Sequence, residues 1–149
     1  MAQSHTLQLI AKTALAAGTA NDKYTADTDM GRFERAVMLL DVTAAPGAGT
    51  DTLNVYVQKN VGARGTEVWT DFVSFTQTVG GGGTKQHVAE VCATASPTSS
   101  MHLVQDGQLA AGTVNHGPWS DQWRVKTVTA GGGSAFTFTL TAHLFNSSD

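Results

Sequence analysis

Residues 136–144 have the sequence FTFTLTAHL, in which every second residue is apolar. In an extended chain Phe136, Phe138 and Leu140 lie on one side, and the threonines between them lie on the other. A period of two residues is typical of a strand with one buried and one exposed face. This segment is the strongest β signal in the chain, and it indicates an all-β fold.

The same signal recurs along the chain, interrupted by turns rich in Gly. Residues 36–43 (AVMLLDVT) are apolar on both faces, as expected for a central strand, and residues 52–59 (TLNVYVQK) alternate. The Pro and Gly of residues 44–51 predict a turn, so these two strands are predicted to form a β-hairpin. Further strands are predicted at residues 6–12, near Tyr24, and at residues 67–78, 85–95, 101–105 and 122–129. We therefore predict an antiparallel β-sandwich or a small β-barrel, with Gly-rich turns and one longer loop.

A weak internal repeat supports the sandwich. The segments 40–44 and 53–57, with a Gly turn between them, resemble the segments 126–130 and 136–140. Two similar hairpins packed face to face would form a sandwich core. A chance similarity within a Thr-rich β protein is the alternative.

Length and composition favour a single β domain. The chain has 149 residues, with 41% hydrophobic and only 14% charged residues, and 16 Gly. We predict one domain over residues 6–145, a flexible N-terminal arm over residues 1–5 and a frayed C-terminal tail over residues 146–149. The net charge of -3 and the scattered basic residues give no attraction to nucleic acid, and no apolar span predicts a membrane segment.

Residues that carry chemistry are sparse in this sequence. The five histidines have no metal-ligand spacing, and the single Cys92 permits neither an internal disulfide nor a CxxC motif. No nucleophile elbow or phosphate-binding loop is present. We expect no catalytic residues, no metal and no cofactor. Trp119 and Trp123 could form a sugar-stacking platform, although packing in the core is the favoured interpretation.

A composite pattern extends over about two-thirds of the chain. Its first half consists of LDVTA at residues 40–44, LNVYVQ at 53–58, EVWTD at 67–71 and FVSFTQ at 72–77. Its second half consists of WRVK at residues 123–126 and FTFTL at 136–140, with a Gly turn between them. Together these segments resemble a recurrent type of small virion protein of tailed bacteriophages.

The resemblance implies a structural protein of a phage head or tail. Within that class it favours a capsid decoration (cement) protein, located on the outer surface of the virion and assembled in the host cytoplasm. Such proteins bind the major capsid protein of the assembled head and stabilise it, commonly as homotrimers. A tail component (tube, terminator or fibre-base protein) is the alternative in the same class, and a carbohydrate-binding β-sandwich module is the alternative from another class.

Three segments are the predicted contacts with the capsid partner. They are the N-terminal arm, the four-glycine run, which we interpret as a hairpin tip or a flexible loop, and the irregular segment 106–118 with the residue that follows it. The predicted contact residues are Met1, Ala2, Gln3, Ser4, His5, Gly80, Gly81, Gly82, Gly83, Asp106, Gln108, Leu109, Val114, His116 and Trp119. Relative to the pattern, residues 95–118 form an insert before the last strand pair, and this insert is the candidate partner-specific part.

Overall fold

The computed structural model describes residues 4–15, 18–24, 32–95, 103–132 and 135–146. Ten β-strands lie within these ranges. They are β1 (Ser4–Leu15), β2 (Gly18–Tyr24), β3 (Arg35–Ala44), β4 (Thr52–Asn60), β5 (Trp69–Ser74), β6 (Thr78–Val79), β7 (Lys85–Cys92), β8 (Thr113–Val114), β9 (Trp123–Ala130) and β10 (Phe136–Phe145). The all-β prediction is confirmed.

The strands form two antiparallel sheets that pack face to face as a β-sandwich. The four-stranded sheet has the order β1-β10-β3-β7, and the six-stranded sheet has the order β2-β9-β4-β5-β8 with β6 beside β4. Every pairing between strands is antiparallel.

The path of the chain between the sheets identifies the topology. Going from β1 to β2, from β3 to β4, from β5 to β7 and from β9 to β10, the chain changes sheet each time. Without the two-residue strands β6 and β8, eight strands remain, four in each sheet. This arrangement is a jelly roll, in which closely paired sheets protect most strand edges.

The prediction that these neighbouring strands pair as β-hairpins is therefore wrong. Strand β3 pairs with β10 and β7, whereas β4 pairs with β9 and β5, so β3 and β4 lie in opposite sheets. The connection at residues 45–51 is long enough to cross the edge of the sandwich, whereas tight hairpins use loops of about two residues. Each of the two similar stretches of sequence therefore contributes one strand to each sheet.

The core consists of the inward-facing residues of both sheets. Along β10 the residues Phe136, Phe138 and Leu140 are buried and the threonines between them are half-exposed, as the alternation predicts. Trp123 at the start of β9 is fully buried, and its ring lies 5.1 Å from the ring of Phe72. Burying each large apolar side chain contributes about 1.5–3 kcal/mol, so this continuous core holds the two sheets together.

The outer faces of the two sheets differ. Residues 103–122 lie over the six-stranded sheet, and we call this segment the covering loop; its contacts are described below. The outer face of the four-stranded sheet carries half-exposed Val37 and Leu39 beside exposed Val88, with threonines from β10. The covering loop is the longer loop that the sequence predicted, and it contains β8.

Candidate partner-contact surface

Asp71 of β5 anchors the covering loop. Its side chain is only 1% exposed and accepts hydrogen bonds from three consecutive backbone N–H groups, those of Gly107, Gln108 and Leu109, at 2.8–3.0 Å. The Nε2 group of Gln58 donates a fourth bond to the same carboxylate at 2.6 Å. Bonds to an ionised carboxylate are roughly twice as strong as neutral ones. A single buried acid therefore fixes the backbone of the loop.

A second carboxylate extends this network toward solvent. Asp106 accepts from Gln58, from the guanidinium of Arg124 at 2.9 Å and from the ammonium of Lys126 at 3.0 Å. The hydrogen bond from Gln58 is the largest cause that lowers the pKa of Asp106, and the hydrogen bond from Lys126 adds to it. Arg124 also lies over the ring of Trp69, 5.0 Å from its centroid. These groups satisfy one another, so the cluster orders the loop.

The far end of the covering loop is held by Asn60, the last residue of β4. Its side-chain oxygen accepts from the N–H groups of Gly62 and Val68, and its amide donates to Gln122 at 2.7 Å. Lys59 donates to the carbonyl of Pro118, and burial lowers the pKa of this lysine. The loop is thus bonded to the sheet at both ends.

The two tryptophans near this end lie in the interior. Trp119 is 7% exposed and packs edge-on against fully buried Trp123, with ring centroids 5.7 Å apart. A flat sugar-stacking platform needs an exposed ring, so the platform hypothesis is wrong and the core interpretation is confirmed. Leu109 is equally buried. Trp119 and Leu109, which the sequence placed among the predicted contact residues, are therefore buried in this structure.

The four-glycine run is fixed at its base. Gly80 is buried, and a Cβ atom there would lie 2.1 Å from the carbonyl oxygen of Ala48. Gly81 donates its N–H to the carbonyl of Pro46 at 2.7 Å and has a φ of +76°, where glycine is favoured. Gly81, Gly82 and Gly83 are exposed. The run connects β6 and β7, which belong to opposite sheets, so the hairpin-tip interpretation is wrong. It is a turn packed against the β3–β4 connection, with an exposed tip.

Two residues of the predicted N-terminal arm belong to a strand. Ser4 and His5 belong to β1 and pair with Phe145 and Leu144 of β10. The ring of His5 stacks near buried Phe33, with centroids 6.4 Å apart. Ser4 and His5 are therefore part of the sheet, and the predicted arm boundary at residue 5 is wrong. Met1, Ala2 and Gln3 lie outside the described residues.

The remaining predicted contacts lie on the covering loop. Asp106 and Gln108 are exposed, and Val114 is half-buried in β8. The Nδ1 atom of His116 accepts the N–H of Cys92, at the end of β7, at 3.2 Å. The structure thus brings these residues to one loop, and it separates them from the glycine tip and from β1.

An exposed apolar patch near the start of β5 was not predicted. It consists of Val61, Val68, Leu103 and Val104, and Leu103 is 87% exposed. The N–H of Val61 donates to the carbonyl of Val68 at 2.8 Å, and Gln105, next to Val104, donates to Thr70. The sequence predicted a short strand at residues 101–105. The described part, residues 103–105, is not a strand, and both apolar side chains face solvent.

The described residues show neither a metal-binding cluster nor a membrane-spanning helix. They contain no group of three or more His, Cys, Asp and Glu side chains placed to hold a metal ion. The described part of the chain also contains no apolar helix of membrane-spanning length.

Comparison with known proteins gives a similarity of fold. No protein-family model and no curated protein sequence matches the chain. A chain in the structure of infectious bursal disease virus, Gx strain, aligns with a TM-score of 0.51 and 10% identity over 98% of this chain and 33% of its own length. A chain from the Gt strain aligns with a TM-score of 0.45 and 12% identity over 97% of this chain and 32% of its own. This chain therefore spans about a third of the length of those two chains.

Proposed function

We propose that this chain is a structural component of a bacteriophage particle, and specifically a capsid decoration protein that binds the outer surface of the assembled head. The jelly-roll topology carries the proposal, because this architecture is recurrent among viral capsid domains. The alignment with a chain of infectious bursal disease virus, at a TM-score of 0.51, supports the same fold. The sequence resemblance to small phage virion proteins supports the narrower assignment.

The covering loop and its apolar patch form the proposed contact with the major capsid protein. Exposed apolar residues grouped in one region of a folded domain are typical of interaction sites. Here the patch lies beside Thr70 and Asp71, the two residues that fix the loop. Because the loop is ordered before binding, little conformational entropy is lost when it docks. Leu103 and Val104 are the proposed centre of the contact, and Asp106 and Gln108 are its polar rim.

Binding of one copy to several neighbouring subunits of a shell would give a high overall affinity even if each contact is weak. A capsid lattice repeats the same site, so each copy that bridges neighbouring subunits binds with the avidity of linked sites. This predicts binding to assembled shells and little binding to unassembled subunits. The resemblance favours a homotrimer, whereas six-fold rings with a central channel in electron micrographs would instead indicate a tail tube protein.

Substitution of Leu103→Lys tests the contact. Shells that lack this chain are mixed with purified protein and sedimented, and the bound fraction is measured against protein concentration. We expect L103K to weaken binding at least about tenfold, since burying an unpaired ammonium in an interface is costly. The control is Gln8→Lys, which adds the same charge at an exposed position of β1 in the other sheet.

Different outcomes test the decoration function and the assignment of the contact surface. Wild-type protein that does not bind shells contradicts the decoration function. Wild-type binding that L103K leaves unchanged contradicts the assignment of the patch. Equal losses in L103K and Q8K would also contradict it, since a general charge effect would then explain both.

A further inference from the structure

Among the residues that the structure describes, no strand pairs with the outer edge of β7, whereas the β5 edge of the other sheet is covered. The β5 edge of the six-stranded sheet is covered, since Asp71 donates its N–H to the carbonyl of Gln105 and β8 pairs farther along. Strand β7 pairs with β3 on one side. On its other side the covering loop bonds to its last residue, where Cys92 donates to His116 and accepts from Gly117.

These two bonds identify the groups that face outward along β7. The N–H and C=O of Cys92 both point away from β3, and in an antiparallel strand this direction alternates between residues. Gln86, Val88 and Glu90 therefore also present their N–H and C=O groups to the open edge. No backbone hydrogen bond joins these three to a described residue outside the sheet. Their side chains are exposed, and Val88 is 63% exposed.

We propose that this edge pairs with β7 of a second copy of the chain, antiparallel about a two-fold axis at Val88. In this register Val88 lies opposite Val88 of the second copy, and Gln86 lies opposite Glu90. Each of the three pairs joins residues whose backbone groups face the seam, so each exchanges two hydrogen bonds. An unpaired edge of this kind is a ready template for such pairing.

The side chains of the outer face favour this register. Leu39 is the cross-strand neighbour of Val88, so pairing creates an apolar row of Leu39 and Val88 from each copy across the seam. On either side of this row the amide of Gln86 faces the carboxylate of Glu90. A shift by two residues would place Val88 opposite Gln86 or Glu90 and lose the row. No like charges lie directly opposite in the favoured register, which would otherwise destabilise the pair.

The pairing joins two four-stranded sheets into one of eight strands. It is a two-fold contact, distinct from the three-fold contact of a trimer, and it uses residues of β7 that lie outside the apolar patch. On a shell it would add a lateral contact between neighbouring copies. The inference rests on the geometry of β7 and does not depend on the proposed function, so it is tested on free protein without shells.

Engineered cysteines in a Cys92→Ser background test both the pairing and its register. Directly opposed residues of hydrogen-bonded pairs have Cα atoms about 5.5 Å apart, within the disulfide range of about 4.4–6.8 Å. V88C should therefore form a covalent dimer on mild oxidation. Two Q86C chains should not, because four residues at about 3.4 Å each separate these positions along the strands. A mixture of Q86C and E90C should form the mixed dimer.

The control is Q8C, an exposed position of the same sheet near its other edge. If V88C cross-links no faster than Q8C at equal concentration, the pairing is wrong. If Q86C alone cross-links as readily as V88C, the register is wrong. A second test is Val88→Pro, which removes the backbone N–H that Val88 would donate to the second copy. Proline is tolerated at such a position, where the N–H of an edge strand faces outward. V88P should raise the dissociation constant of the two-fold pair at least about tenfold in sedimentation, and an unchanged constant would contradict the proposal.

Discussion

Replacement of Asp71 by Ala tests whether one buried carboxylate orders the covering loop. In the wild type this carboxylate accepts four hydrogen bonds, three from backbone N–H groups of residues 107–109 and one from Gln58. Asp71→Ala removes the acceptor and leaves four donors at a site that is 1% exposed. The covering loop must then move, admit water, or keep unsatisfied donors.

The expected cost follows from these bonds. Each buried donor without an acceptor costs about 1–3 kcal/mol, but the losses are not additive because the loop can relax. A hydrogen bond to a charged group contributes about 1.5–3 kcal/mol, so after relaxation the four bonds together are expected to contribute roughly 3–5 kcal/mol. We expect a loss of this size for D71A, against a total stability of about 5–15 kcal/mol for a domain of this kind.

Urea unfolding measures this loss, and hydrogen exchange locates it. With a slope of about 2 kcal/mol per molar urea, the unfolding midpoint should fall by roughly 2 M. The amides of Gly107, Gln108 and Leu109 should lose protection more than those of β10. The matched control is Asp41→Ala, at a half-exposed position of β3, which should change stability by less than about 1 kcal/mol. If the stability of D71A lies within about 1 kcal/mol of the wild type, or if its loop amides stay protected, Asp71 does not order the covering loop.

Two further predictions concern pH and the glycine turn. The pKa of Asp106 is lowered in the folded state, so its stabilising contribution is present above its unfolded value of about 3.9 and is lost as pH falls through the folded pKa. The stability difference between wild type and Asp106→Asn, measured by urea unfolding, should therefore shrink from pH 7 to pH 3, and a constant difference would contradict the assignment. Gly80→Ala should lower the melting temperature, at a cost of about 1–3 kcal/mol, because its Cβ would lie 2.1 Å from the Ala48 carbonyl. Gly132→Ala, with nothing within 4 Å, is the control; equal effects of the two substitutions would show that the close approach at Gly80 is unimportant.

The strands were predictable from sequence because their signal is local. The alternation at residues 136–144 and the apolar run at residues 36–43 correspond to β10 and β3 almost residue for residue. Which strands pair was not predictable in the same way. A turn rich in Gly and Pro is compatible with a hairpin and with a crossing between sheets, and only the packing of both apolar faces against one core decides between them.

The loop that forms the candidate surface was predicted from the sequence, but the residue that holds it in place was not. The irregular composition of residues 106–118 indicated a loop, but the residue that fixes it, Asp71, precedes it by more than 30 positions. A signal was present, since Asp71 is the one charged residue in the strand WTDFVS. The exposure of Leu103 and Val104 was not predictable, because local sequence does not reveal whether a short apolar segment has a sheet to join.

Binding to assembled shells is the direct test of the proposed decoration function. Purified protein is added to shells that lack it and, in parallel, to unassembled major capsid protein, and the melting temperature of the shells is recorded with and without it. We expect saturable binding to shells, little binding to free subunits and a higher melting temperature of the decorated shells. Equal binding to free subunits, or shells that melt at the same temperature with and without bound protein, would contradict it.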